Sequence, residues 1–504
     1  MSRRFARSRK CGTVAAAMFA TVGAMAGCGG PAANAPVAAR EPFATHYVVD
    51  VDPKAPSKLH VVASFAGLKD VLVEADENAS LHVKNARVSP GLDVENDEGR
   101  PIRFESNQAE VTECRIGCTI RYDIDLRAVL ETCPRALDCV VGADDVVLSP
   151  AVVWLIRPHV FAGTKVKVTF RKGREFVFTG LGESTATFEH EFPPWGFPDG
   201  SPTSFGPIRR VSARSGASRL EAAVMPGPLA LSDADLTSWL EDTSTLVGGL
   251  YGKYPVPRLT TFFLPVPNQS EVVFGKVLSL AGPTAVILVG GDMQKKDLHD
   301  DWVLVHEMIH LGFPSLDDDE GRWLSEGLAT YYEPVLRTRA GWMTEDLLWQ
   351  GFARQMKRAL PRPRDGETKR YGRNDPGLAS RHDIDATYWG GALFCLLADV
   401  RLRERTRGEH SLDTVVRAIV AKGGDTRAVW SLAEVFRFAD ATTHTQVFSE
   451  LRHELVDAWT FTSFKEIWGK LGIDETPART RLKDDAPLAS LRRSIGRGDV
   501  PGTR

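Results

Sequence analysis

The chain has 504 residues, of which 43% are hydrophobic and 25% charged, a composition typical of a folded globular protein with about three domains. A formal net charge of −3 and the lack of a basic stripe argue against a nucleic-acid-binding protein. Beyond the first 30 residues, no segment of the sequence is apolar enough to span a membrane.

Residues 1–27 are predicted to be a bacterial lipoprotein signal peptide. Five basic residues near the start precede the apolar segment 14–26, which is too short for a spanning helix. The segment leads into Cys28 through a lipobox-like sequence. We therefore expect lipidation of Cys28 and a membrane-anchored protein of the cell envelope, periplasmic or associated with the outer membrane. The alternative is a plain secretory signal with an incidental cysteine. Residues 28–44, rich in Ala, Pro and Gly, are predicted to be a flexible tether.

Residues 45–205 are predicted to form a β-rich domain that resembles a β-sandwich, because short segments of alternating polarity lie between turn residues. Four cysteines lie close together in this region, and outside the cytoplasm they could form two disulfides whose pairing the sequence leaves open. A second zinc site is the rival interpretation, which the cysteine spacings fit poorly. The four residues are Cys114, Cys118, Cys133 and Cys139.

Residues 206–343 have a mixed pattern. A helix is predicted over 229–252, a strand over 259–264, and two strands within 274–290 interrupted by a Gly-Pro pair. Two further helices follow. From 344 to 475 the pattern is helical, and the polar, basic residues 476–504 have a composition typical of disordered chain ends. The predicted fold class is therefore multidomain α+β.

Residues 306–310 form an H-E-x-x-H motif within an apolar helical pattern. On a helix, His306 and His310 lie on one face, so both imidazoles can bind one metal ion. Glu307 is placed to act on a metal-bound water, and Glu326 offers a third ligand from the next helix. Two histidines and one glutamate with an open fourth position are typical of catalytic zinc. The alternative is a buried helix whose histidines make ordinary hydrogen bonds.

A second carboxylate follows Glu326 on the same predicted helix. Glu333 is seven residues further on, nearly two turns, and so lies on the same face. It could accept a hydrogen bond from the outer ring nitrogen of a ligand histidine and fix its tautomer. The alternative for Glu333 is a solvated surface carboxylate.

These motifs resemble those of the gluzincin zinc metallopeptidases, most closely the glycyl-aminopeptidase family and more distantly the alanyl/leucyl aminopeptidases. The resemblance is carried by 306–310 with 323–333, and by 388–393 with the segments that follow it. It implies a thermolysin-like α+β catalytic domain over 206–343, a helical part over 344–475, and a single Zn²⁺.

The resemblance also implies individual roles. His306, His310 and Glu326 match the zinc ligands, Glu307 the general base, and Tyr388 the tyrosine that stabilises the oxyanion. A phenol can supply such a hydrogen bond. Without the resemblance, Tyr388 would be read as an aromatic core residue.

A peptide or protein substrate is expected to lie as an extended strand over the metal. The predicted substrate strand is Ala281, Gly282, Pro283 and Thr284. Related aminopeptidases carry a glutamate there that holds the substrate amine, whereas residues 280–285 contain no carboxylate. The sequence therefore leaves aminopeptidase and endopeptidase activity open. The alternative to an enzyme is a non-catalytic binding lipoprotein on the same scaffold.

Overall fold

The structure is a computed structural model. It describes residues 45–67, 70–92, 99–114, 117–132, 139–161, 165–186, 188–197, 201–316, 321–361, 375–461, 463–475 and 480–498. The predicted signal peptide, the tether and the lipidation site at Cys28 lie outside these residues, as does Cys133. Among the helices that the structure describes, none is long and apolar enough to cross a membrane.

The N-terminal region is built from strands. They are β1 (Thr45–Asp52), β2 (Ala55–Ala66), β3 (Val71–Glu74), β4 (Val83–Pro90), β5 (Arg100–Pro101), β6 (Gln108–Val111), β7 (Gly117–Asp125), β8 (Val140–Val141), β9 (Val147–Pro150), β10 (Arg157–Pro158), β11 (Val166–Lys172), β12 (Val177–Thr179), β13 (Glu183–Ala186), β14 (Glu189–Phe192) and β15 (Pro202–Phe205). Two short helices accompany them, α1 (Leu126–Leu130) and α2 (Ala151–Trp154).

These strands form three sheets with the orders β13-β14-β11-β1-β2-β7-β4-β5, β10-β3-β6 and β12-β15-β9-β8. The alternation of apolar and polar residues suits strands with one buried face. In β1 every second side chain is buried and the others are partly or fully exposed. Cys114 and Cys118 are bonded to each other, with their Cα atoms 5.1 Å apart. Cys139 is disulfide-bonded as well.

A further sheet of five strands follows, with the order β16-β17-β18-β20-β19. Its strands are β16 (Arg209–Ser215), β17 (Ser218–Val224), β18 (Arg258–Val266), β19 (Val272–Leu278) and β20 (Thr284–Gly290). Strands β17, β18 and β20 are parallel, whereas β19 pairs antiparallel with β20 and lies at the edge. Helix α3 (Asp233–Tyr251) connects β17 to β18. It begins after Ser232, because that residue forms a capping box with Asp235.

The predicted substrate strand is a turn in the structure. Ala281 is buried and accepts a hydrogen bond from the backbone of Gly182, in the β-rich region. Gly282 has a φ of +150°, and Pro283 follows it, which breaks the strand between β19 and β20. Thr284 begins β20, which is paired on both sides. None of these residues therefore offers a free strand edge to a peptide.

Helices make up most of the remainder. They are α4 (Val303–His310), α5 (Arg322–Arg339), α6 (Glu345–Gln355), α7 (Gly391–Arg405), α8 (Leu412–Ala421), α9 (Leu432–Thr443), α10 (Val447–Leu451), α11 (Lys465–Leu471) and α12 (Ala489–Arg497), with π-helical segments at Ala386–Gly390 and Arg452–Val456. Short strand pairs join β21 (Ser315–Leu316) to β23 (Val429–Trp430), β22 (Asp375–Pro376) to β24 (Ala458–Trp459), and β25 (Ile473–Glu475) to β26 (Thr480–Leu482).

Helices α5 and α7 cross at two glycines. A Cβ on Gly327 would lie 2.3 Å from the Cα of Gly391, so only glycine allows the backbones to approach this closely. Gly327, which weakens the helical pattern in the sequence, is therefore explained by packing. The crossing fixes the start of α7, and with it the adjoining π-helical segment that carries Tyr388, against α5.

The chain end is ordered where the structure describes it, contrary to the prediction of a disordered tail. Within 480–498, α12 places the side chain of Arg492 in a buried position. That guanidinium donates hydrogen bonds to the backbone oxygens of Leu471 and Lys483, and pairs with Glu345 at 3.0 Å. A buried arginine with this many partners holds a polar segment in place that composition alone would leave unfolded.

Candidate metal centre

The helix that carries the H-E-x-x-H motif is capped by a carboxylate. Asp301 accepts hydrogen bonds from the backbone N–H groups of Val303 at 3.1 Å and Leu304 at 2.9 Å. These groups have no partner within the helix, so the cap fixes where α4 begins.

The three predicted metal ligands come together. Nε2 of His306 lies 3.4 Å from Oε2 of Glu326, and Nε2 of His310 lies 3.5 Å from the same oxygen. One ligand atom from each residue lies within 4.8 Å of the other two. Two imidazole nitrogens and one carboxylate oxygen, converging from α4 and α5, match the donor set of a catalytic zinc site.

The electrostatics of these residues reflect their proximity. Burial acts to raise the pKa of Glu326, but the two imidazoles outweigh it and hold that pKa well below the ordinary value. Burial acts to lower the pKa of His310, whereas its hydrogen bond and attraction to Glu326 raise it overall. The centre therefore brings one carboxylate and two imidazoles together, and a cation can bind them when the imidazoles are neutral.

Ser325 supports His310 from outside the cluster. Its Oγ lies 3.1 Å from Nδ1 of His310, on the opposite side of the ring from the nitrogen that faces Glu326. With Nε2 directed at the metal position, Nδ1 carries the proton and donates it to Ser325, which fixes the ring orientation. The sequence analysis did not single out Ser325, although it directly precedes a ligand.

Glu307 is buried between α4 and the edge strand β19. Burial raises its pKa, while the attraction of His310 and His306 opposes that rise. The backbone of Val277 donates a hydrogen bond to its carboxylate. A Cβ on Gly275 would lie 2.7 Å from Cγ of Glu307, so a glycine in β19 is what lets the strand lie against this carboxylate.

Tyr388 lies beside the candidate metal ligands. Its ring centroid is 6.2 Å from that of His306, with an angle of 26° between the planes. The side chain is half-buried. Burial and the negative charge of Glu326 raise the pKa of the phenol, while Arg322 lowers it through a hydrogen bond and its charge. The phenol is thus a neutral donor near the centre.

Two further residues at the centre were missed by the sequence analysis. Arg322 begins α5, lies 3.9 Å from Oε1 of Glu326, and is largely exposed. Trp302 precedes α4 and packs edge-on against His306 at 5.7 Å between centroids, yet 52% of it is exposed. An isolated arginine or tryptophan gives no signal in a sequence, because its role depends on which side chains the fold brings beside it.

The structure gives Glu333 a different partner from the predicted one. Its Oε1 accepts a hydrogen bond from Arg337 at 2.8 Å, one turn further along α5, and among the described residues it makes no hydrogen bond to a ligand histidine. Arg337 also donates to the backbone oxygens of His299 and Asp300. Burial raises the pKa of Glu333 to about 7. This pair joins α5 to the segment before α4.

Comparison with known proteins gives matches of structure alone. No protein-family model matches the sequence, and no curated protein matches it. Among solved structures, an aminopeptidase N family protein from Idiomarina loihiensis aligns over 85% of this chain and 78% of its own, with a TM-score of 0.60 and 12% identity. The two chains share a fold. The likeness establishes a mixed α+β multidomain architecture, and activity must be argued from the site.

Two further solved structures are similar at lower TM-scores. An M1 zinc metallopeptidase from Deinococcus radiodurans aligns over 84% of this chain and 95% of its own, with a TM-score of 0.48 and 16% identity. The aminopeptidase A of Legionella pneumophila, in complex with aspartic acid, aligns over 82% of this chain and 49% of its own, with a TM-score of 0.47 and 12% identity.

Proposed function

We propose that the protein is a zinc-dependent metallopeptidase. The observation that carries the proposal is the convergence of His306, His310 and Glu326 beside the buried carboxylate of Glu307. A purely structural role would not need these four groups in this arrangement. Burying the carboxylate of Glu307 costs free energy, and a structural role gives no return for that cost. A scaffold that only bound ligands would have no use for a general base at a metal position.

Each residue has a distinct task in peptide hydrolysis. Zn²⁺, when bound, supplies a Lewis acid that polarises the scissile carbonyl and lowers the pKa of water. Glu307 takes a proton from the attacking water and can return it to the leaving amine, for which a raised pKa is favourable. Tyr388 donates a hydrogen bond to the oxyanion that develops on the carbonyl oxygen. The hydrogen bond that Nδ1 of His310 donates to Ser325 holds the imidazole ring in its orientation.

The substrate strand is reassigned to β19. This strand lies at the edge of the five-stranded sheet, and Gly275 and Val277 lie directly against Glu307. An extended peptide that pairs with the outer edge of β19 would bring its backbone carbonyls past the general base. The turn at 281–284 follows β19 and marks one end of the strand edge with which the peptide would pair.

Whether the peptidase removes N-terminal residues or cleaves within a peptide depends on which side chains bind the N-terminus of the substrate. The resemblance to the glycyl-aminopeptidase family favours release of N-terminal residues, but β19 and the turn after it contain no carboxylate to hold a free amine. We therefore favour cleavage of peptides with blocked N-termini. Comparing N-acetylated peptides with free-amine aminoacyl amides tests this, and activity on the amides alone would contradict it.

The central experiment is the substitution Glu307→Gln. It removes the base while keeping the size of the side chain, so we expect zinc content to stay unchanged and kcat for peptide hydrolysis to fall by roughly 10²- to 10⁴-fold. The matched control is Glu271→Gln at an exposed glutamate just before β19, which should leave kcat unchanged. Full activity of Glu307→Gln would refute the mechanism, and zinc without hydrolysis in the wild type would favour the binding-protein alternative.

Attachment to a membrane is a separate proposal that rests on the sequence before Cys28. We propose that this cysteine carries lipid and holds the enzyme in the cell envelope, with the following residues as a tether. Metabolic labelling with a fatty-acid analogue should label the wild type and not Cys28→Ala. Equal labelling of both proteins, or of neither, would rule out the lipid anchor.

A further inference from the structure

The five-stranded sheet presents four arginines on the face that α4 does not cover. Along β17, Leu220 and Ala222 point into the core shared with α3 and α4, so Arg219 points the opposite way. The register pairs Arg219 with Arg258 of β18 on one side and with Arg214 of β16 on the other. Arg210 precedes Arg214 in β16 by four residues, so its side chain lies on the same face.

Two adjoining cavities lie over this face. The larger, of about 620 Å³, is bounded by the sheet and by the end of the β-rich region, and its lining includes Arg210, Arg219, Arg258 and His190. The smaller, of about 210 Å³, shares Arg219 and Arg258 with it and adds Arg427. Neither cavity is lined by a residue of the metal centre. The larger cavity has the size of a small-molecule site.

The cations in these cavities are only partly neutralised. Arg258 pairs with Glu221 at 2.7 Å and donates to the backbone oxygen of Thr179. Arg210 donates to two backbone oxygens through one of its nitrogens and lies over the ring of Phe178. Among the described residues, the guanidinium of Arg219 makes no hydrogen bond or ion pair. A guanidinium without a partner that lines both cavities is free to bind an anion.

The larger cavity also offers a hydrogen-bond acceptor. His190 is buried, and its Nδ1 donates to the backbone oxygen of Leu181 at 2.9 Å. Burial, with the charge of Arg258, lowers the pKa of His190 to about 4, so the ring is neutral and its Nε2 is an acceptor. Three phenylalanines complete the lining with apolar surface. They are Phe170, Phe178 and Phe188.

We propose that these cavities form a binding site for an organic phosphate or carboxylate with an apolar body, separate from the metal centre. The anionic group would bind Arg219 and Arg258, whose forked donors match phosphate and carboxylate oxygens. The body would pack on the phenylalanines, and a hydroxyl or amide N–H on it would donate to His190. The ligand is either a soluble molecule or the phosphate headgroup of a lipid.

The test is a calorimetric titration of the whole protein with phenyl phosphate. Inorganic phosphate and phenol are titrated separately, because the first carries only the anionic group and the second only the apolar ring. We expect phenyl phosphate to bind more tightly than either half. Arg219→Gln should weaken that binding roughly tenfold, because one charge-assisted hydrogen-bonding partner is lost. The matched control, Arg214→Gln, removes a neighbouring exposed arginine of the same face that lines neither cavity, and should change the affinity less than twofold.

A second measurement separates the two sources of phosphate. Sedimentation with phosphatidylcholine vesicles that contain phosphatidylglycerol should depend on Arg219 if the ligand is a lipid headgroup. The site is supported if binding of phenyl phosphate or of the vesicles weakens roughly tenfold in Arg219→Gln and is kept in Arg214→Gln. Absence of binding to phenyl phosphate and to the vesicles, or equal binding by both variants, would overturn it. Peptide hydrolysis should be unchanged in Arg219→Gln, so this outcome is independent of the proposed catalytic mechanism.

Discussion

At the scale of single residues, the metal centre depends on side chains that hold the ligands as well as on the ligands themselves. Ser325 contacts the outer nitrogen of His310, and Arg322 contacts both Glu326 and Tyr388. The contact with Ser325 is expected to set the orientation of the His310 ring, whereas Arg322, largely exposed, adds a positive charge beside Glu326.

The role of Ser325 can be measured directly. Replacing Ser325 with Ala removes the hydrogen bond to Nδ1 of His310, and zinc affinity should fall by roughly tenfold or more. Ser325→Thr keeps the hydroxyl and serves as the control. Competition with a chelator of known affinity gives both values. An alanine variant that binds zinc as tightly as the threonine variant would show that the contact does not support the ligand.

The convergence of the three candidate metal ligands could be predicted from the sequence because the spacing of the two histidines along a helix is itself the signal. His306 and His310 are four residues apart, and Glu326 lies in a second helical pattern. Glu333 satisfied the same periodicity but binds Arg337, because residues one turn apart compete with any longer-range partner. Periodicity predicts the face of a helix on which a side chain lies, but it does not predict which neighbour on that face the side chain binds.

At the scale of secondary structure, close packing between elements fixes the position of the centre. Gly327 and Gly391 allow α5 and α7 to touch, which brings Tyr388 towards the face of α5 that carries Glu326. The strand β19 approaches α4 at Gly275 through side chains of α4, because a Cβ there would lie 2.5 Å from Cγ1 of Val303 and 2.7 Å from Cγ of Glu307. Such close packing leaves little freedom for these elements to shift relative to one another.

Substitution of Gly327 tests this packing. Gly327→Ala places a Cβ against the backbone of α7, and overpacking should lower stability by about 1–3 kcal/mol. The matched control is Gly351→Ala in α6, where a Cβ meets nothing within 4 Å and helix propensity should raise stability by about 0.5–1 kcal/mol. The midpoint of thermal unfolding should therefore move in opposite directions. A rise for Gly327→Ala would contradict the close crossing.

Several elements follow from local signals and others do not. The capping box that starts α3 is a local signal, Ser232 with an acidic residue three positions on. The same pattern, Ser431 with Glu434, marks the start of α9 within the region 344–475 that the sequence predicts to be helical. The turn at 281–284 could not be separated from a strand edge by sequence, because what distinguishes it is contact with the distant β-rich region.

At the scale of the whole molecule, the hydrophobic cores show how the parts are joined. One core belongs to the β-rich region, and a second runs continuously through the five-stranded sheet and the C-terminal helices. The regions 206–343 and 344–475 therefore share a single interior. Composition and periodicity predicted an α+β chain with a β-rich start, but sheet order and the shared core depend on long-range pairing that no local pattern encodes.

The central claim is that this interior positions one catalytic zinc ion, and metal analysis of the purified protein tests it most directly. The wild type should contain one zinc per chain. His306→Ala, which removes one of the three ligands, should contain little or none while remaining folded by circular dichroism. Zinc absent from the wild type, or present equally in both proteins, would contradict the assignment of the centre.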